Sequence, residues 1–178
     1  MTLPSTPSTP SAPLPAATIL GYPRIGPDRE LKRDVESYWK GALDVSGLRE
    51  RAAALRAVTR ARLRGLGLTG ASAVPADFTY YDQVLQVTTA FGALPERFAD
   101  LRGSAGDAAD AGDAADAGGA GGTDAETGEF PGTSLSGFFT AARGEGERAA
   151  LEMTKWLDSN YHYLVPELDA DTPIGYIP

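Results

Sequence analysis

The chain has 178 residues, enough for one domain with a core of its own. With no cysteine and a single histidine it can hold no disulfide framework, cysteine nucleophile, thiolate-bound zinc or iron–sulfur centre, or His-rich metal site. A net charge of −8 argues against general nucleic-acid binding, and no apolar run approaches the ~20 residues of a membrane span.

Residues 1–17 are dominated by Pro, Ser and Thr and contain no Lys or Arg. They read as a disordered tail, not as a secretory or transit signal, and a cytoplasmic location follows. Thr18–Tyr22 is a short β-type run closed by Pro23. A turn-rich loop, Arg24–Pro27, leads to Asp28, a candidate N-cap for a helix running to Trp39 or Lys40. Leu31, Val35 and Tyr38 give that helix an apolar stripe. Asp44 or Ser46 can cap a second helix, with Leu48, Ala52, Leu55, Thr59, Leu63 and Leu66 at roughly helical spacing and five arginines from Arg51 to Arg64 on the wet face. Gly65 and Gly67 end it.

Ala71–Pro75 is a candidate second strand, followed by an aromatic-acidic loop, Ala76–Asp82. A third helix is expected over Asp82–Phe91, ending at Gly92. Residues 103–128 are low in complexity, with Asp-Ala-Ala-Asp-Ala-Gly twice in tandem at 107–118. Only alanine stands at the recurring apolar positions, so the segment reads as a flexible acidic insertion. Helices are expected over about Leu135–Ala142 and about Glu147–Lys155, the latter within a helix-like pattern that begins at Glu145. A strand is expected at 161–165. Alternating elements in this order favour an α/β fold with a parallel sheet. Three strands cannot cover both faces and edges of such a sheet, so the chain reads as the beginning of something larger.

Two regions carry candidate chemistry. Gly21–Lys32 joins a strand end, a Gly-containing turn and a basic helix start, a generic anion site. Arg29 and Lys32, three apart, fall on one helix face. Surface ion pairing along the helix is the plainer alternative. The basic residues concentrate here: 11 of the 16 lie between Arg24 and Arg64, against 6 of the 24 acidic ones. That excess can attract an anion, and it also fits two solvated amphipathic helices. The second region, Thr154–Tyr163, packs Lys155, Trp156, Asn160, Tyr161, His162 and Tyr163 between two regular elements, where ligand-contacting residues commonly sit. Read singly, its members are ordinary: His162 fits a hydrogen-bonded structural histidine, and Lys155 fits a helix C-terminus. Phe78–Asp82 likewise fits aromatic core packing.

Together these blocks resemble cobalamin-independent methionine synthases. The resemblance rests on Gly21-Tyr22-Pro23-Arg24-Ile25-Gly26 with Arg29-Glu30-Leu31-Lys32 and Glu36-Ser37-Tyr38-Trp39; on Asp77-Phe78 with Tyr81-Asp82-Gln83-Val84-Leu85; and on Pro95-Glu96-Arg97-Phe98 and Ala142-Arg143-Gly144. Its strongest part is Glu152-Met153-Thr154-Lys155-Trp156, continued by Asn160-Tyr161-His162-Tyr163 and Val165-Pro166-Glu167. The blocks occur in family order over about residues 18 to 168.

The resemblance implies a fold and a site. The family transfers a methyl group from 5-methyltetrahydropteroyl-polyglutamate to homocysteine, using two (β/α)8 barrels in one long chain. This chain would be the opening of the N-terminal barrel: residues 18–102 its first part, 103–128 an insertion, and 129–178 a truncated continuation. By the family pattern Arg29, Glu30, Leu31, Lys32, Lys155 and Asn160 contribute to the methylfolate site, with no catalytic residue and no metal ligand among them. The family's zinc, held by His, Cys and Glu, belongs to the C-terminal catalytic barrel. That barrel would be the chain's partner, and by the resemblance this chain would hold no cofactor and would not be active alone. Leu157 and Ser159 depart from the family, which more often has Phe and Thr there, and the sequence after Leu168 diverges. The other readings are a stand-alone polyglutamyl-folate-binding module and a non-functional truncated product.

Overall fold

The computed structural model describes residues 17–69, 73–74, 78–102, 132–172 and 174–175. The expected insertion at 103–128 lies outside them, as does all of the expected tail but residue 17. Two compact units result, divided between Phe78 and Thr79. Among the described residues the elements are four α-helices, one short 3₁₀ segment and one two-stranded sheet.

In the first unit, α1 (Glu30–Trp39) packs against α2 (Val45–Gly65). The apolar stripes set the contact: Leu31 and Val35 from α1, and Leu48, Ala52 and Leu63 from α2, are all buried. Leu66, counted in the α2 stripe by spacing, lies beyond the helix and is 71% exposed. Asp34 and Arg51 bridge the two helices at 2.8 Å. Asp44 caps α2 as expected, its carboxylate accepting the Gly47 N–H at 2.8 Å. That bond, with a second from Ser46, holds the Asp44 carboxyl below its ordinary pKa.

The start of α1 differs from the expectation. Asp28 is not its cap. The residue before the helix is Arg29, in the left-handed conformation (φ 62°), and it makes no side-chain cap bond. The loop backbone does the capping instead, with the Leu31 N–H donating to the Ile25 carbonyl at 3.1 Å.

In the second unit, α3 (Gln83–Ala90) begins at Asp82, whose buried carboxylate accepts the Leu85 N–H at 2.7 Å. α4 (Leu135–Arg143) begins at Ser134, whose hydroxyl accepts the Gly137 N–H at 3.0 Å. α2 and α3 stop at glycines in left-handed geometry, Gly67 (φ 89°) and Gly92 (φ 64°), where a Cβ would be strained. The core gathers Tyr80, Leu85, Leu94, Phe98, Leu135, Phe138, Leu151 and Leu164. Of the aromatics in Phe78–Asp82, read as core packing, Tyr80 is buried, while Phe78 and Tyr81 are partly covered.

The sheet corrects two expectations. Glu147–Lys155 is not a helix. Glu145 and Arg148 close a tight turn by a bridge, and Met153–Lys155 forms strand β1. β1 pairs with β2 (His162–Leu164), which falls within the expected strand at 161–165. The pairing is antiparallel, with Met153 opposite Leu164, Thr154 opposite Tyr163 and Lys155 opposite His162. A six-residue connection permits a hairpin, so no helical crossover is needed. It is the only sheet among the described residues. Thr18–Tyr22 is not a strand: the Ile19 N–H and the Thr18 hydroxyl both donate to the Ala73 carbonyl at 3.0 Å, and one shared acceptor makes no ladder. The second expected strand lies outside the described residues except for Ala73 and Val74. The chain is thus mixed α/β, with helices dominating.

Candidate functional site

The loop before α1 is a built turn. The Arg29 N–H donates to the Gly26 carbonyl at 3.1 Å, and the Asp28 N–H donates to the Glu30 carboxylate at 3.1 Å. That carboxylate folds back over Gly26 so closely that a Cβ there would sit 2.0 Å from Glu30 Oε2. The N–H groups of Asp28, Arg29 and Leu31 are therefore all taken within the loop, and the free-amide anion cradle expected from the sequence is not present at them. What the loop offers outward is side chains.

Those side chains sort clearly. Leu31 is 1% exposed and anchors the helix in the core. Glu30 braces the turn. Arg29 and Lys32 are exposed. They do not share a helix face, because Arg29 precedes the first helical residue and its left-handed backbone breaks the 3.6-residue period. The Arg29 guanidinium has no side-chain partner among the described residues. Lys32 faces Glu36 at 3.6 Å with both side chains more than 40% exposed, a pairing weak enough for a stronger anion to displace.

The remaining site residues belong to the second unit, on the β1–β2 hairpin. Lys155 ends β1 and is exposed. Asn160 lies in the connecting loop, also exposed. The loop is internally bonded: the Trp156 N–H donates to the Tyr161 carbonyl at 2.8 Å, and the Ser159 N–H and hydroxyl both donate to the Trp156 carbonyl. His162 Nδ1 lies 3.1 Å from the Asn160 carbonyl, which leaves that nitrogen only the donor role. His162 is thus locally bonded, in line with its structural reading. Trp156 meets Tyr163 edge-on at 5.7 Å between ring centroids. Trp156, Leu157 and Tyr161 are otherwise exposed, at 55%, 79% and 48%.

The base of this hairpin holds a pair that the sequence does not single out as a site. Arg97 forks onto Glu167, Nη1 to Oε2 at 2.5 Å and Nη2 to Oε1 at 2.7 Å. The same guanidinium donates to the carbonyls of Ala149 at 3.1 Å and Ala150 at 3.3 Å and lies 4.8 Å over the Phe98 ring. The hydrogen bonds from Arg97 hold the Glu167 carboxyl below its ordinary value of 4.5. Both residues sit inside blocks already noted, Pro95–Phe98 and Val165–Glu167, but a contact across 70 residues leaves no local signal.

Among the described residues no three of His, Asp and Glu cluster as a metal site, and no helix is long and apolar enough to cross a membrane. The described residues form a mixed α/β chain with exposed cations on a braced turn and on a short hairpin. The particular family is set by sequence: residues 16–112 and 128–176 match the model described as "Cobalamin-independent synthase, N-terminal domain", and the chain belongs to that family. Similar relatives carry the name 5-methyltetrahydropteroyltriglutamate--homocysteine methyltransferase. The one from Streptomyces coelicolor is 46% identical over 157 residues, which is 88% of this chain and 16% of the relative. The one from Rhodococcus jostii is 42% identical over 91% of this chain and 17% of its own length. The one from Salinibacter ruber is 43% identical over 88% and 18%. The chain therefore spans less than a fifth of the curated relatives it matches.

Proposed function

We propose that this chain supplies residues binding the polyglutamyl methylfolate in a cytoplasmic cobalamin-independent methionine synthase, as part of a (β/α)8 N-terminal barrel. The whole enzyme would move a methyl group from 5-methyltetrahydropteroyl-polyglutamate to homocysteine, with the C-terminal catalytic barrel as partner. The observation that carries the reading is the state of Arg29, Lys32 and Lys155, three exposed cations in the family's own blocks. A polyglutamate tail is a string of carboxylates, and Arg offers it a planar fork while Lys offers a mobile point charge. Asn160 adds an uncharged donor and acceptor. Glu30 and Leu31 take supporting parts, bracing and anchoring the turn that presents Arg29 and Lys32.

The zinc chemistry belongs elsewhere. This sequence has no cysteine and one histidine, so it cannot assemble a His, Cys and Glu ligand set. No step of methyl transfer is assigned to its residues.

The test is a comparison of tails. Titrating the chain with the tri- and monoglutamate forms of 5-methyltetrahydrofolate should show tighter binding of the triglutamate, and Lys32→Ala should narrow that preference. Loss of a charge-assisted contact weakens binding on the order of tenfold or more when well formed, and salt should narrow the gap further. Equal weakening of both forms by Lys32→Ala would contradict the assignment.

A further inference from the structure

We infer that Arg97 and Glu167 are positioning residues for the β1–β2 hairpin, setting where Lys155 and Asn160 stand. The inference rests on the proposed binding role of those two residues, but its geometry does not. Arg97 comes from the 3₁₀ segment Glu96–Leu101, whose Phe98 is fully buried, so its backbone is fixed to the core. Its guanidinium reaches the two flanks of the hairpin at once. On the entry side it donates to the carbonyls of Ala149 and Ala150, just before Leu151 anchors to the Ala141 carbonyl at 3.0 Å. On the exit side it forks onto Glu167, three residues past the end of β2. Glu167 closes the loop by accepting the Glu152 N–H at 3.4 Å, beside the Val165 N–H that donates to the Glu152 carbonyl at 2.8 Å.

A three-residue strand pair is too short to hold a register alone. β1 contributes Met153, Thr154 and Lys155, and none of them is buried. The hairpin is held to the unit by β2 against α3, by buried Leu151 and Leu164, and at its base by the Arg97–Glu167 fork. A planar fork fixes direction as well as distance, which a lysine cannot do. Two other cations of this unit are engaged elsewhere, Arg148 with Asp100 at 3.0 Å and Arg102 with Glu96 at 3.5 Å.

The experiment is amide hydrogen exchange across the full chain for Arg97→Lys, Arg97→Ala, Glu167→Ala and the double alanine variant. Arg97→Lys keeps the charge and removes the fork, so it tests the idea even where the alanine variants unfold. The expected result is exchange raised about tenfold or more at 152–165 with protection in α3 and α4 retained, because a lost charge-assisted bond opens the segment it closes. The double variant should open the hairpin no further than the worse single one. Acid should loosen the wild-type hairpin: the folded Glu167 carboxyl titrates below its unfolded value, so its contribution is present above the unfolded pKa and lost as pH falls through the folded one. Glu167→Gln should lack that step. Unchanged exchange at 152–165, or an equal rise throughout the unit, would overturn the inference. Wild-type titration with methylfolate triglutamate separates the two ideas. Failure to bind counts against the proposed function and leaves the exchange result standing, whereas binding that Arg97→Lys does not weaken counts against positioning alone.

Discussion

Gly26→Ala and Glu30→Ala should couple. In the wild type the Glu30 carboxylate holds the Asp28 N–H at 3.1 Å and occupies the space where a Gly26 Cβ would stand, 2.0 Å from Oε2. Removing that carboxylate costs the bond, about 1 kcal/mol for a half-exposed charge-assisted contact, and a first-turn acid, about 0.5 kcal/mol. Gly26→Ala should cost more. A side chain at φ 86° is strained by about 1–2 kcal/mol, and the new methyl expels the carboxylate, losing the same bond of about 1 kcal/mol. In the double variant that bond is already gone, so the strain alone should add to Glu30→Ala, leaving a coupling of about 1 kcal/mol. Glu30→Gln keeps an acceptor for the Asp28 N–H and should fall well short of the alanine loss. The assay is urea unfolding in a Trp156→Phe background, where Trp39 at the end of α1 is the only tryptophan and reports the first unit. Additivity within about 0.3 kcal/mol would refute the brace.

Two more substitutions test local geometry in the second unit. Asp82→Ala should destabilise it by about 1–2 kcal/mol, since a buried cap is lost, while Asp82→Asn should cost distinctly less; thermal melts of both variants check this. Leu157→Gly should stabilise the hairpin by about 0.5–1 kcal/mol, because Leu157 sits at φ 49° with its side chain 79% exposed and nothing to lose; a lowered melting temperature would count against it.

The helices were legible because their signals are local. Asp44 before Val45, Asp82 before Gln83 and the glycines after α2 and α3 state the ends, and the Leu31–Val35 and Leu48–Ala52 spacings state the buried faces. β1 was illegible for the converse reason. Glu147–Lys155 is rich in good helix formers, and only pairing with β2 makes a strand of its end. The signal that could have found it is the cluster Asp158-Ser159-Asn160, a turn flanked by two short runs, which reads as a hairpin once helix propensity is set aside. In the site, the exposed cations Arg29, Lys32 and Lys155 follow from their blocks. The brace on Gly26 and the Arg97–Glu167 fork do not, since each depends on where the chain folds back.

The central claim is that the cations at Arg29–Lys32 and Lys155–Asn160 meet a polyglutamate tail. Backbone and side-chain NMR of the full chain during titration with 5-methyltetrahydropteroyltriglutamate tests it most directly. Saturable shifts concentrated at Arg29, Lys32, Lys155 and Asn160, and weakened by salt, are the predicted result. Shifts confined to other surfaces, or equally large with the monoglutamate form, would contradict it.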